Sequence, residues 1–400
     1  MDAFTSGPLR IDPDETMTAP PPQANGAAAG PDPVAPRRAD VDAKQARVAA
    51  VLHDIDCEAM LLVVPASVTW FTAGMNVRGL IAESERPAVY VNGSQRWLIC
   101  SNVDTHRLFD EELDRLGFQL KEWAWDGSRA ELLASVVAGR KVACDRPLVN
   151  LPVAADRLRP LIRSLSDFEQ RAYRDLGRLL AHAIEATGRN IGRGQTEEEV
   201  AGQLGHRLLH HGVEPTAVGV TADGRAAKFR RAGFTAAPVG RTCTIQATAQ
   251  RDGLFATASR TVSFGPPPAD FRAEYDLAWR TAAVYRVFSR PDETAGTAGL
   301  AGRAVLVGTP YEFDWRLSQP GYGAGRLPAE ELRRAGQDEP FIPGQAVVWQ
   351  PRVGAAAVVD TVIVTADGPV LATPFEDWPH RRANVRGELF DIPDILVRTD

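Results

Sequence analysis

Several groups of side chains in this chain have types and spacings that could do chemistry. His206 and His210 lie one helical turn apart, with His211 adjoining. Such a pair can chelate zinc, but only Glu214 stands near as a further donor, and the plain reading is a solvated helix end. Arg225, Lys228, Arg230 and Arg231 surround Phe229, a basic cluster able to hold a carboxylate or phosphate. Gly321-Tyr322-Gly323-Ala324-Gly325 has the glycine content of a phosphate cradle. It lacks the following Lys, Ser or Thr and does not stand between a strand and a helix. There is no G-x-S-x-G nucleophile elbow to support a Ser-His-Asp hydrolase.

The most informative stretch is Gln246–Gly265, QATAQRDGLFATASRTVSFG. Gly253, then Ser259-Arg260-Thr261, then an apolar strand through Phe264 stand in a fixed register. In that register the segment resembles the metal-binding hairpin of the pita-bread superfamily, which includes aminopeptidase P, prolidase, methionine aminopeptidase and creatinase. The resemblance implies two divalent ions held by two Asp, one His and two Glu, which lower the pKa of a bridging water. The two Asp positions hold Gln246 and Thr257. The His position falls on Ser318 or Gln319, within Asp314–Gly325, where GYGAG is then the remnant of the family's glycine loop. The Glu position before a Pro is Gln350, ahead of Pro351, and the Glu position before Asp-Thr is Val359, ahead of Asp360-Thr361. Lys228 takes the place of a substrate-contacting His, and Arg260 is the other residue read as a ligand contact. The resemblance thus implies a kept scaffold whose five ligand positions are all substituted, and no cofactor. Gln246, Thr257, Ser318, Gln319, Gln350 and Val359 are expected to line one degenerate pocket.

Composition sets wider bounds. A net charge of −6 gives no electrostatic case for nucleic acid or an anionic membrane. No apolar run reaches the roughly 20 residues that span a bilayer, and no basic-then-apolar leader opens the chain. Cys57, Cys100, Cys144 and Cys243 are widely spaced without a C-x-x-C pair, which reads as reduced thiols in a cytoplasmic protein.

The elements that must position these residues follow from periodicity. Residues 1–38 contain a Pro/Ala/Gly-rich run that cannot bury enough surface to offset its ordering entropy, and they read as a disordered tail. An α/β domain is expected over 39–160: an amphipathic helix at Asp40–His53, a strand at Ala59–Val64, a hairpin with arms Pro87–Asn92 and Arg96–Cys100, a helix at Arg129–Val137 and a strand at Lys141–Cys144. The run Ser67–Gly74 resembles the creatinase-type amino-terminal domain. A division near residue 160 precedes two helices opened by capping boxes, Ser166 with Glu169 and Thr196 with Glu199. Strands near 215–221, 242–248 and 256–264, a helix over 269–288, and strands at Ala346–Gln350 and Val358–Val364 complete an α+β pita-bread domain over 161–385, with 386–400 as a tail.

The function expected is that of a catalytically degenerate aminopeptidase P/prolidase-like protein that binds a peptide, a protein or a small polar ligand. By resemblance it would be a homodimer, without nucleic-acid or membrane partners. The alternatives are a metal-independent hydrolase acting in the same pocket through Lys228 or polar groups, and a structural subunit paired with an active paralogue.

Overall fold

A computed structural model of the chain describes residues 32–77, 82–148, 150–334 and 337–399. Residues 1–31 of the expected tail lie outside the described residues. Ala35–Arg38, assigned to the same tail, instead form the first turn of helix α1 (Ala35–Asp54). Pro36 suits that turn, because the N–H it lacks has no intrahelical partner there.

The amino-terminal domain is a five-stranded sheet in the order β4-β3-β2-β1-β5. Its strands are β1 (Ala59–Leu62), β2 (Ala88–Val91), β3 (Arg96–Ser101), β4 (Gln119–Trp123) and β5 (Val142–Cys144). The β2–β3 hairpin is antiparallel, and β5 joins β1 in parallel. Helix α1 buries Val41, Val48 and Leu52 against Met60, Leu62 and Leu98, together with α2 (Pro65–Phe71). Helix α3 (Arg129–Val137) packs Leu133 and Val136 with the opposite-face residues Leu61, Tyr90 and Ile99. The division placed near 160 falls inside a further helix, α4 (Ala155–Arg163), which carries Pro160 within it and is followed by Ser164 as its C-cap.

The second half holds two helix-on-sheet units. In the first, α5 (Asp167–Asn190) and α6 (Glu197–His210) cover the sheet β19-β8-β7-β6. Its strands are β6 (Glu214–Ala222), β7 (Thr242–Arg251), β8 (Leu254–Phe264) and β19 (Leu396–Arg398). Both capping boxes are formed. Tyr173, Leu176, Leu180 and Ile184 recur at helical spacing on α5 and bury against Ile245, Ala247 and Ala258. In the second unit, α7 (Ala269–Val287) and α8 (Ala295–Ala304) pack beside the sheet β16-β15-β12-β9. Those strands are β9 (Gly321–Ala324), β12 (Ala346–Trp349), β15 (Asp360–Thr365) and β16 (Gly368–Leu371). Short pairs β10–β11 (Arg333–Arg334 with Gln337–Asp338) and β13–β14 (Arg352–Val353 with Ala356–Ala357) lie between them in sequence. This is the expected mixed α/β pita-bread arrangement.

Residues 386–399, expected as part of a tail, are instead built into the domain. Strand β17 (His380–Val385) turns into β18 (Glu388–Pro393), and β19 then pairs in parallel with β8, Leu396 beside Val262. Ile392 and Ile395 are buried with Phe271 and Tyr275 of α7, which holds the segment to the domain. Among the described residues no helix is long and apolar enough to cross a membrane.

Candidate functional site

Strands β7 and β8 pair Thr244 with Thr261, Gln246 with Ser259 and Thr248 with Thr257. Alternate strand residues share a face, so these six side chains form one polar face of the hairpin. Hydrogen bonds among them close that face. Thr244 Oγ1 lies 3.0 Å from Thr261 Oγ1, and Thr257 Oγ1 is 2.8 Å from Thr248 Oγ1 and 2.9 Å from the Tyr322 hydroxyl. The second sheet is stitched on here. The Thr257 amide donates to Thr361 Oγ1 at 2.9 Å, and the Thr361 hydroxyl donates back to the Thr257 carbonyl at 2.7 Å. The Val359 amide donates to Ser259 Oγ at 2.9 Å, while its side chain is fully buried in the core beneath α5.

Gln246 has a different partner. Arg352, at the start of β13, donates from Nη2 to Gln246 Oε1 at 2.5 Å. Among the described residues no carboxylate lies within ion-pair distance of Arg352. Burial, and then the neighbouring Arg230 guanidinium, push its pKa down. Arg230 is itself paired, with Asp314 at 3.0 Å and the Gly354 carbonyl at 2.8 Å.

The remaining candidates sit elsewhere. Ser318, Gln319 and Gln350 line a cavity of about 420 Å3 between α7, α8 and the turn after Asp314. Gln350 Nε2 reaches the Gln319 carbonyl at 3.4 Å, and its backbone amide donates to the Pro320 carbonyl at 2.9 Å. Gln246, Thr257 and Val359 are not on that lining. The single pocket expected from the sequence is therefore two places: a hydrogen-bonded sheet face and an open cavity. Arg352 lines the cavity and also touches Gln246.

Neither expected ligand contact stands in the cavity. Lys228 is exposed just beyond the turn Arg225–Ala227. The basic cluster is dispersed, since Arg225 pairs with the buried Glu197 at 2.7 Å and Arg230 with Asp314. Arg260 points to the opposite face of β8 and is fully buried. Its guanidinium is spent on Glu185 at 3.2 Å, Asp360 at 3.0 Å and the carbonyls of Ser259 and Thr373. Four of its five donors are engaged there and the group is wholly buried away from the cavity, so the assignment of Arg260 as a ligand contact is corrected. The glycine loop is likewise a strand: β9 pairs with β12, and a side chain at Gly321 would meet the Val348 carbonyl at 2.4 Å. His206 and His210 stack at 6.2 Å at the end of α6, and among the described residues no three His, Cys, Asp or Glu are grouped to hold a metal.

The profile of metallopeptidase family M24 matches residues 171–366. The chain carries an M24 domain. Solved structures extend the likeness through the amino-terminal half. Dipeptidase PepE from Mycobacterium ulcerans superposes with a TM-score of 0.71 at 18% identity, covering 90% of this chain and 98% of that one. The prolidase from Pyrococcus horikoshii OT3 gives 0.69 at 16% identity, with 84% and 99% covered. The X-Pro aminopeptidase from Thermotoga maritima MSB8 gives 0.69 at 16%, with 89% and 100% covered. At these identities the match is one of fold. No curated protein matches the chain at the level of sequence.

An M24 scaffold raises the question of a paired divalent centre. Hard dications need charged oxygen donors. The positions assigned to ligands present two or three amides, hydroxyls and an alkyl side chain, and the guanidinium of Arg352 already occupies the Gln246 oxygen. This donor set does not fit a pair of dications. Arg352, Arg303 and Trp315, which the cavity brings together, were not singled out from the sequence. The only signal was that Arg352 stands two residues beyond Gln350, on the same side of an extended segment.

Proposed function

We propose that this M24 chain is a binding protein without metallopeptidase chemistry, working through the cavity beside Gln350 and Arg352. The observation that carries the reading is the Arg352–Gln246 hydrogen bond. It sets a fixed positive charge at the position where the resemblance calls for a metal-binding carboxylate, and a guanidinium there repels the ion that the reaction would need. The hydroxyl partners of Thr257 support it, because that side chain is engaged on two sides. The ligand is a small polar molecule or a peptide rather than nucleic acid, for which a net charge of −6 offers no attraction.

The test is elemental analysis of purified protein together with Xaa-Pro and Met-Xaa peptide assays, with and without added Mn²⁺ or Co²⁺. The expected result is no stoichiometric metal and no turnover. Metal retained through gel filtration, or turnover abolished by a chelator, would overturn the reading. Turnover insensitive to chelator would point instead to a metal-independent hydrolase.

A further inference from the structure

Arg303 and Arg352 face the same cavity, and among the described residues neither has an ion-pair partner. Other half-buried arginines among the described residues are matched. Arg159 meets Glu330 and Glu339, Arg230 meets Asp314, and Arg272 meets Asp276 and Asp394. Arg303, on α8, instead lies 3.5 Å over the Trp315 ring, a cation–π contact that orients the guanidinium and leaves its charge unneutralised. Among the described residues the Arg352 side chain has one hydrogen bond, to the neutral Gln246 amide. The one acidic lining residue, Asp338, already accepts hydrogen bonds from Thr294 Oγ1 at 2.8 Å and the Gly296 amide at 3.1 Å. The lining therefore carries an excess of positive charge. The rest of the lining combines an apolar and aromatic set, Tyr285, Leu300, Leu306, Trp315 and Val353, with the neutral polar side chains of Ser318, Gln319 and Gln350.

We infer that this cavity binds an organic carboxylate with an apolar body. The carboxylate would take the guanidinium forks of Arg303 and Arg352, the geometry such groups match best, and the body would lie against Trp315 and the α8 side chains. A cavity of about 420 Å3 is in the size range of small-molecule sites. Burial lowers the pKa of Arg352, so an anion beside it restores an interaction that desolvation has made costly. The carboxylate belongs either to a free acid or to the C-terminus of a short peptide. This inference names the ligand class of the proposed function and rests on that reading, since it requires Arg352 and not a metal to be the local cation.

The experiment is isothermal titration of the full chain with 3-phenylpropanoate, its neutral amide, acetate, and the tripeptide Gly-Ala-Phe with free and amidated C-termini. The acid is expected to bind at least about tenfold more tightly than its amide and than acetate, about 1.4 kcal/mol. Arg303→Met and Arg352→Gln should each lower its affinity by a similar factor, while Lys228→Gln leaves it unchanged. Tight binding of the free tripeptide and not the amidated one assigns the carboxylate to chain termini, and binding of the acid alone assigns it to small acids. Equal binding of acid and amide, no binding at millimolar concentration, or affinity that survives Arg303→Met overturns the inference. Should Arg352→Gln fail to fold by circular dichroism, Arg303→Met decides alone. Failure in metal-free protein refutes this inference and leaves the proposed function standing. Carboxylate affinity lost on chelation refutes both.

Discussion

Lys44 of α1 and Glu169 of α5 meet at 2.7 Å across the junction of the two halves of the chain, both almost wholly buried. Glu169 Oε1 also takes Arg326 Nη2 at 2.6 Å, and Oε2 accepts from the Ser166 amide at 3.0 Å as the return arm of the capping box. One carboxylate therefore both starts α5 and clasps the amino-terminal domain. Burial pushes this carboxyl up, but Arg326 and Lys44 outweigh it and hold the pKa at about 2. A depressed folded-state pKa contributes stability above the unfolded value, about 4.3 for Glu, and that contribution is lost as pH falls toward the folded value. Stability from this group should thus hold at neutral pH and drain away between about pH 4.5 and pH 2. Lys44→Met should cost about 3–5 kcal/mol in a denaturant titration and start the acid loss at a higher pH. An acid profile identical to wild type would show that Arg326 alone sets Glu169.

Val359→Glu tests the fully buried position assigned to the last ligand. The new carboxylate would enter the core cluster with Ile363, Val348 and Ile184, with no cation assigned to it. The cost should be at least about 2 kcal/mol. Burial raises the introduced carboxyl, so the penalty grows as pH rises above about 4.3 and shrinks in acid. A neutral change at pH 7, measured by chemical denaturation, would place residue 359 at the surface.

Gly177→Ala should destabilise although alanine favours helices. A Cβ at this position of α5 would lie 1.9 Å from the Ala372 carbonyl oxygen. The helix and the chain after β16 must part to admit it, an overpacking cost of about 1–3 kcal/mol that exceeds the helix-propensity gain of about 1 kcal/mol. A raised melting temperature in Gly177→Ala would contradict this close approach.

Arg260→Met separates a structural arginine from a binding one. It removes the nearest cation of the buried Glu185 and Asp360, leaving only the longer contacts to Arg189 and Arg286 at 3.7 Å, and should cost about 3–5 kcal/mol. At temperatures where the variant remains folded, the affinity for 3-phenylpropanoate should be that of wild type. A selective loss of affinity with stability intact would return Arg260 to the binding site.

Most elements that position the site were legible because they rest on local rules. The capping boxes at Ser166 and Thr196 and the β7–β8 hairpin around Gly253 fall where hydroxyl–carboxylate spacing and a glycine turn require. The errors arise where packing decides. Residues 386–400 were expected as a tail, yet Ile392 and Ile395 bury with Phe271 and Tyr275 of α7. A division was expected near 160, yet that position lies within α4, which accommodates Pro160. Arg260 was a readable error. Period-two alternation sets Thr257, Ser259 and Thr261 on one face and Arg260 on the other. Arg303 and Arg352 were not readable at all, since no motif marks an arginine by the partner it lacks.

The bond from Arg352 to Gln246 gives the proposed loss of metal chemistry a direction. An aspartate restored at 246 would find a guanidinium within reach and become half of an internal ion pair, not a foothold for a dication. Replacing Arg352 first would leave a hairpin face of amides and hydroxyls too weak to hold a divalent ion. Neither single step gains what the other needs, so on the proposed reading a return to metal binding requires simultaneous changes, as in an evolutionary ratchet.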